Sequence, residues 1–270
     1  MSKRIGFKIV GLVLGLSILA CSITANSGNP AGKTVHGSGV VVEKDRSVSG
    51  VSGVELAMEG TLHIQVGDGE SLRIQAEDNL QQYIRTDVRA GTLVINTADG
   101  VNLDSTRPID YYLTVKSLDS IVISSSGDIQ APDMKTGRFS AAIKSSGNLT
   151  MGNLDCSSLQ VDISSSGKLK MGILTAGSIR VRISSSGNLE IAGGRVQQQD
   201  ISISSSGEYR AGDLASAQAK VTLTSSGVAT VRVSDQLSGS LSSSANLYYI
   251  GSPAVNVTTS SSGKAVQINK

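Results

Sequence analysis

Between Ser117 and Lys270, apolar and polar residues alternate in short runs on either side of a recurring Ser-Ser-Ser-Gly or Ser-Ser-Gly sequence. The glycine of this turn stands at Gly127, Gly147, Gly167, Gly187, Gly207 and Gly227, gives way to Ala245, and returns at Gly263, so the spacing is 20 residues five times and then 18 twice. Self-similarity at such a period marks a solenoid in which each repeat forms one coil. Four residues before the glycine stand Ile123, Ile143, Ile163, Ile183, Ile203, Leu223, Leu241 and Thr259. Two residues after it stand Ile129, Leu149, Leu169, Leu189, Tyr209, Ala229, Leu247 and Ala265. The position between that column and the glycine holds Asp128, Asn148, Lys168, Asn188, Glu208, Val228, Asn246 and Lys264, a solvent column. Alternation on both sides of the turn predicts strands whose side chains point inward at every second position.

A third apolar column lies eight residues before the glycine, at Phe139, Leu159, Ile179, Ala219, Leu237 and Val255. Each coil is thus expected to hold at least two short strands and a looser return segment. Successive coils advance in one direction, so their strands pair in parallel, and right-handed crossovers are the default. The expected fold is all-β, a single-stranded parallel β-helix with about 20 residues per coil. Stacked serine hydroxyls, each both donor and acceptor, are expected to satisfy one another along the axis. The turn glycines are expected to supply a positive φ. In the last coil Val266 and Ile268, rather than Ala265 and Gln267, read as the inward pair, which predicts a bulge or cap there.

Upstream, residues 47–116 show strand patterns at Val54 to Met58, Leu62 to Val66, Leu72 to Ala76, Leu93 to Ile95 and Tyr111 to Val115, with turns at Gly67-Asp68-Gly69 and Asp99-Gly100. One helical turn is expected at Glu77 to Gln82. This region reads as irregular first coils that cap the solenoid. Residues 22–46, rich in Gly, Ser and Asn, read as a flexible tether. Residues 1–21 read as a lipoprotein-type signal peptide: Lys3, Arg4 and Lys8 precede an apolar run from Ile9 to Ala20 that ends at Cys21, the expected lipidation site. That reading predicts export to the bacterial cell envelope and anchoring to a membrane through the lipid, the outer membrane in a two-membrane cell.

Composition narrows the chemistry. Aromatics make up 3% of the chain and tryptophan is absent, which suits thin layers filled by aliphatic columns. Removing residues 1–21 deletes three of the 24 basic residues and none of the 22 acidic ones, leaving 21 against 22. The basic balance therefore belongs to the signal, and no nucleic-acid surface is expected. Only Cys156 remains, so no internal disulfide can form, and its neighbours suggest a small buried residue. A serine nucleophile would need a base, but the histidines are only His36 and His63. The segment Gly67-Asp68-Gly69-Glu70 lacks the spaced acids of a calcium loop. Asp162, Lys170, Arg182, Glu190 and Arg210 mix signs, unlike the clustered acids of a polysaccharide lyase, and Tyr209, Tyr248 and Tyr249 make no aromatic track. No catalytic, cofactor or metal residues are assigned.

The run from Val48-Ser49-Gly50-Val51 through Gly60-Thr61-Leu62-His63-Ile64 into the Ser-Ser-Gly turns resembles the bacterial autotransporter-type adhesins with a head GIN domain, over roughly residues 47–270. The resemblance implies a pectin-lyase-like β-helix without lyase residues, displayed at the cell surface, with adhesion to a glycan or protein ligand as its role. Ala245 and the register of the last coil depart from the pattern. Two other functions fit the same architecture: a polysaccharide-active β-helix enzyme, and a structural envelope protein that self-associates through its open last coil.

Overall fold

The computed structural model describes residues 32–269. The regular structure of the described chain is almost all strand: β1 (Lys33–His36), β2 (Val41–Arg46), β3 (Gly53–Leu56), β4 (Thr61–Val66), β5 (Ser71–Glu77), β6 (Ile84–Arg89), β7 (Thr92–Thr97), β8 (Val101–Asp104) and β9 (Asp110–Val115) make its first part. The repeat region holds β10 (Ser120–Ile123), β11 (Asp128–Ala131), β12 (Met134–Lys135), β13 (Arg138–Ile143), β14 (Asn148–Met151), β15 (Leu154–Ile163), β16 (Lys168–Ile183), β17 (Asn188–Ile203), β18 (Glu208–Leu223), β19 (Val228–Leu241), β20 (Asn246–Ile250), β21 (Ala254–Thr259) and β22 (Lys264–Gln267). The one helical element is a single 3-10 turn at Gln81–Tyr83, slightly later than the expected turn at 77–82.

In the repeat region the coils stack as a parallel β-solenoid with a 20-residue offset: Ile143 pairs with Ile163, Ile163 with Ile183, and Ile183 with Ile203. The inward columns are buried from Ile123 to Leu241 and from Ile129 to Leu247, while in the last coil Val255 and Thr259 are exposed and Ala265 is partly buried. The return segment is not loose. Leu154 pairs with Leu174 and Leu174 with Gly194, so each coil contributes a third strand, and the chain turns two corners without leaving strand conformation. We call the sheet containing Ser178–Ile183 the first, that containing Asn188–Ile191 the second, and that containing Gly194–Val196 the third. The change to 18 residues arises at the two corners flanking the third sheet, where β19 shifts register against β18 between Ala211 and Ala215 and partly back between Ser216 and Gln218. In the final coil Leu247 pairs with Ala265 and Tyr248 with Val266, so the register continues unbroken and the expected switch to Val266 and Ile268 does not occur.

The Ser-Ser-Ser-Gly turn is built differently from expectation. None of Gly127, Gly147, Gly167, Gly187, Gly207, Gly227 and Gly263 has a positive φ. Glycine is needed because the coil below is too close. A Cβ on Gly147 would lie 2.6 Å from Ile123 Cγ2, and one on Gly167 would strike Ile143 Cγ2 while lying 2.7 Å from the carbonyl oxygen of Gly147. That carbonyl accepts a ladder bond from Lys168 N at 3.3 Å, and the Gly167 carbonyl accepts one from Asn188 N at 3.1 Å. Such close approach excludes any side chain. In the last three turns a serine takes the left-handed conformation instead, at Ser225, Ser243 and Ser261. The contacts then relax to 3.0 Å or more at Gly227 and Gly263, and a methyl group fits at the buried Ala245.

The serines do not bond one another either. Among the described residues only the first turn uses its hydroxyls, Ser124 donating to Glu55 and Ser125 to the Met58 carbonyl at 2.6 Å. Later turns are held by the backbone ladder, as in Ser164 N to Ile143 O at 3.0 Å, and their hydroxyls are left to water.

The N-terminal part inverts the stacking order. β10 and β11 pair with β3 and β4, while β3 and β4 pair on their other side with β7 and β9. The layer β7/β9 therefore lies beneath β3/β4 although it follows it in sequence. β6 runs antiparallel to β7, and β5 runs antiparallel to β9 on one side and β2 on the other. Residues 22–31 of the expected tether lie outside the described residues, as do the signal segment and Cys21. The rest of it is not a tether: β1 pairs with β8 and β2 with β5. β2 (VVEKDR) is exposed or half-exposed at every position, so it carries no buried face for periodicity to reveal.

Candidate functional site

The outward side of the first sheet holds a concavity of about 670 Å³, lined along the axis by two parallel rows. One row is Ser120, Ser140, Gln160, Arg180 and Asp200, in ladder register across five strands. The other is Arg138, Ser158, Ser178 and Gln198. Outward positions here alternate with the buried Ala141, Val161 and Val181, so the sheet that fixes the core also fixes the spacing of the rows. The concavity exists because serines stand where the longer Arg138, Arg180 and Gln160 stand in neighbouring layers. Arg180 Nε donates to Asp200 Oδ2 at 3.1 Å, Gln160 Nε2 donates to Asp162 Oδ2 at 2.7 Å, and Thr136 Oγ1 donates to Asp119 Oδ1 at 2.6 Å. The groove is therefore polar and locally neutral.

The second sheet offers a smaller hollow of about 320 Å³ among Lys168, Lys170, Asn188, Glu190, Glu208 and Arg210, where charges of both signs alternate. Its outward surface continues onto the N-terminal cap. There Asp45, Arg73, Tyr112 and His63 form one cross-strand row over β2, β5, β9 and β4. His63 stacks on Tyr112 with ring centroids 5.0 Å apart, and the Arg73 guanidinium lies 5.4 Å from the centre of the Tyr112 ring.

No catalytic arrangement emerges among the described residues. His63 Nε2 lies 3.0 Å from Asp110 Oδ1 and His36 Nδ1 lies 2.6 Å from Asp104 Oδ2, but neither histidine hydrogen-bonds a serine. The described His, Cys, Asp and Glu side chains nowhere gather in threes to hold a metal. Cys156 is buried, and burial first, with the Asp155 charge second, pushes its thiol up to about 11. It stays protonated at neutral pH, as a structural cysteine does. The Gly67 to Glu70 segment joins β4 to β5, the strands that flank β9.

Two buried polar clusters escape a reading by periodicity. Gln199 sits in the column of Phe139, Leu159 and Ile179, fully buried; the Tyr209 hydroxyl donates to its Oε1 at 2.8 Å, and its Nε2 donates to Ser216 Oγ at 3.0 Å. Ser216 passes the chain on to the Arg232 carbonyl at 2.8 Å. Burial drives the Tyr209 phenol pKa far above its usual range. The sequence signal is an amide inside an apolar column, in the same coil where a tyrosine replaces the aliphatic residue of the neighbouring column. The second cluster centres on Glu77. It has no exposed surface, and Gly37 packs directly against its carboxylate. Burial pushes its pKa up, but bonds from the Thr106 hydroxyl and from the N–H groups of Gly39, Thr106 and Arg107 outweigh burial and hold it below the usual carboxylate range.

The sequence matches the family described as "Putative auto-transporter adhesin, head GIN domain" over residues 52–173 and again over residues 163–253, and the chain belongs to that family. No protein with a curated description matches it. Among solved structures it is similar to a "Putative lipid binding protein" from Parabacteroides distasonis, with 22% identity and a TM-score of 0.81 over 88% of this chain and 100% of that one. It is similar also to a "putative adhesin" from Parabacteroides merdae, with 20% identity and a TM-score of 0.79 over 88% and 100%. A third, a "putative adhesin" from Bacteroides fragilis, has 16% identity and a TM-score of 0.65 over 87% and 100%. At these identities the likeness carries the fold.

Proposed function

We propose that this protein is an exported, lipid-anchored adhesin that binds a glycan or protein ligand without catalysis, through the groove on its first sheet. The observation that supports this reading is the groove itself: two rows of polar side chains repeat from layer to layer, with the Arg180–Asp200 ion pair closed on itself at 3.1 Å. A surface of this kind offers many weak, similar contacts, and repetition converts them into avidity when many copies face a ligand-bearing surface. Membership of the adhesin family points the same way. A lyase would need a base and an acidic cluster poised over the ligand, whereas the groove's charged residues are few and opposite in sign. In this reading the anchor is a lipid on Cys21, at the end of the apolar run Ile9 to Ala20.

The reading is tested by displaying the chain from Ser22 onward on beads against cells, matrix proteins and glycans. Capture of one of these above a scrambled-sequence control is expected, with no release of unsaturated sugar products from polysaccharides. Binding to none of them overturns the adhesive role. Cys21→Ser is expected to move the protein from the membrane fraction to the soluble exported fraction, and retention in membranes overturns the lipid anchor.

A further inference from the structure

Taking the first-sheet groove as the binding site, as the preceding reading does, we propose that its ligand is an uncharged glycan chain lying along the solenoid axis. The backbone of the groove floor is already committed, since β13 pairs with β10 on one side and β15 on the other, and β15 pairs in turn with β16. An extended peptide needs an unpaired strand edge to add to a sheet, and the floor presents none. What the groove offers is side chains alone. Those of Ser120, Ser140, Ser158, Ser178, Gln160 and Gln198 each both donate and accept hydrogen bonds, the pattern that matches a ligand made of hydroxyl groups.

Charge argues for a neutral chain. Asp119 and Asp200 balance Arg138 and Arg180 within the groove, so it projects little net field toward a polyanion or a polycation. The second sheet, with Lys168, Lys170 and Arg210 beside Glu190 and Glu208, is the more highly charged alternative and has the smaller hollow. Orientation follows from the ladder. The rows run across the strands, so a chain laid along them meets similar groups at steps of about 4.8 Å over a length of about 19 Å. Sliding by one layer exchanges Ser120 for Ser140 and Ser158 for Ser178, whereas Arg138, Arg180 and Asp200 bound the rows with charged groups. Affinity should therefore rise with chain length until the groove is filled and change little beyond that. Because no ion pairing with the ligand is involved, salt should have little effect.

The test uses the full chain carrying Cys21→Ser and measures binding of neutral oligosaccharide series (malto-, cello- and manno-) from the disaccharide upward, with polygalacturonate, a sulfated glycan and gelatin alongside. At least one neutral series is expected to bind, more tightly with length up to the groove span, and to vary less than about twofold between low and physiological salt. Ser140→Phe, which fills the groove from an exposed position, should weaken that binding about tenfold, Gln160→Ala should weaken it less, and Thr150→Phe on the second sheet should leave it unchanged. Preference for a charged polymer, steep salt dependence, or gelatin as the only groove-sensitive ligand overturns the neutral-glycan assignment and leaves the groove standing as a binding site. Binding of whatever ligand unaffected by both Ser140→Phe and Gln160→Ala, in variants that melt like the parent, overturns the groove itself.

Discussion

At the scale of single residues, a repeated glycine can signal either of two needs, an unusual backbone angle or a lack of space. Here it signals space. The distinction changes which substitutions matter. Gly167→Ala places a methyl group against Ile143 Cγ2 and two carbonyl oxygens of the coil below, and all three belong to a packed layer that cannot give locally. A loss of about 1–3 kcal/mol is expected from overpacking. Gly227→Ala meets nothing nearer than 3.0 Å and follows the precedent of Ala245 one coil later, so its midpoint should fall by much less. Denaturant midpoints of the two variants decide it; equal losses would return the glycine to a backbone role. The Gln199–Tyr209–Ser216 chain gives the complementary case. Tyr209→Phe strips the hydroxyl from a fully buried pair and leaves Gln199 Oε1 unpaired, costing about 1–3 kcal/mol. Adding Gln199→Leu should recover part of that loss, since the apolar column of Leu159 and Ile179 is then continuous. A double-mutant cycle with no coupling would mean that the network contributes nothing as a unit.

At the scale of elements, legibility tracks how much each strand depends on its own buried face. β13, β15 and the first-sheet parts of β16 to β18 alternate buried and exposed residues cleanly, and the alternation in the sequence locates them. The third-sheet strands are brief and carry residues such as Gly194, Ala176 and Ser216, so their periodicity disappears into what looks like a return loop. β1 and β2 bury almost nothing and exist through ladder bonds and polar anchors, which no hydrophobic pattern can announce. The groove rows were not singled out by the pattern, because concavity depends on which long side chains stand next to which serines in the adjacent layers. The anchor at Glu77 makes the N-terminal elements pH-dependent. Its folded pKa lies below the ordinary 4.5, so its contribution is fully present above that value and is lost as pH falls through the folded pKa. Below pH 4.5, protection factors corrected for intrinsic exchange should fall at Gly37 to Val40 and at Thr106 before those of the repeat region. Glu77→Gln should produce the same loosening at neutral pH and abolish the acid dependence. Uniform protection across the chain in acid would remove Glu77 from this role.

At the scale of the whole molecule, the two ends of the described solenoid are finished unlike each other, and this asymmetry assigns a role to the inverted layer. At the β7/β9 end, antiparallel β6 and β5 close the ladders, and β6 carries Arg85, Asp87 and Arg89, charges that discourage further strand pairing. At the β21/β22 end, Val255 and Val266 are 47% and 40% exposed and no antiparallel strand closes the ladder among the described residues. The nearest-neighbour character of a solenoid means that each layer is stabilised by the one it touches. Replacing residues 67–116 by a short linker should therefore leave the repeat coils able to form, because β10 and β11 stack directly on β3 and β4. It would also uncover both strand edges of that layer together with Leu56, Leu62 and Ile64, all buried in the intact chain. The expected product is rich in strand by circular dichroism but associates, with scattering that grows with concentration. Deleting the β21/β22 layer from Gly251 onward should have a smaller effect on solubility. If the shortened chain lacking 67–116 stays monomeric, the antiparallel strands are dispensable as a cap. If it loses its strand signal altogether, the β7/β9 layer instead nucleates the stack, and the coils depend on the chain reaching backward before it can climb.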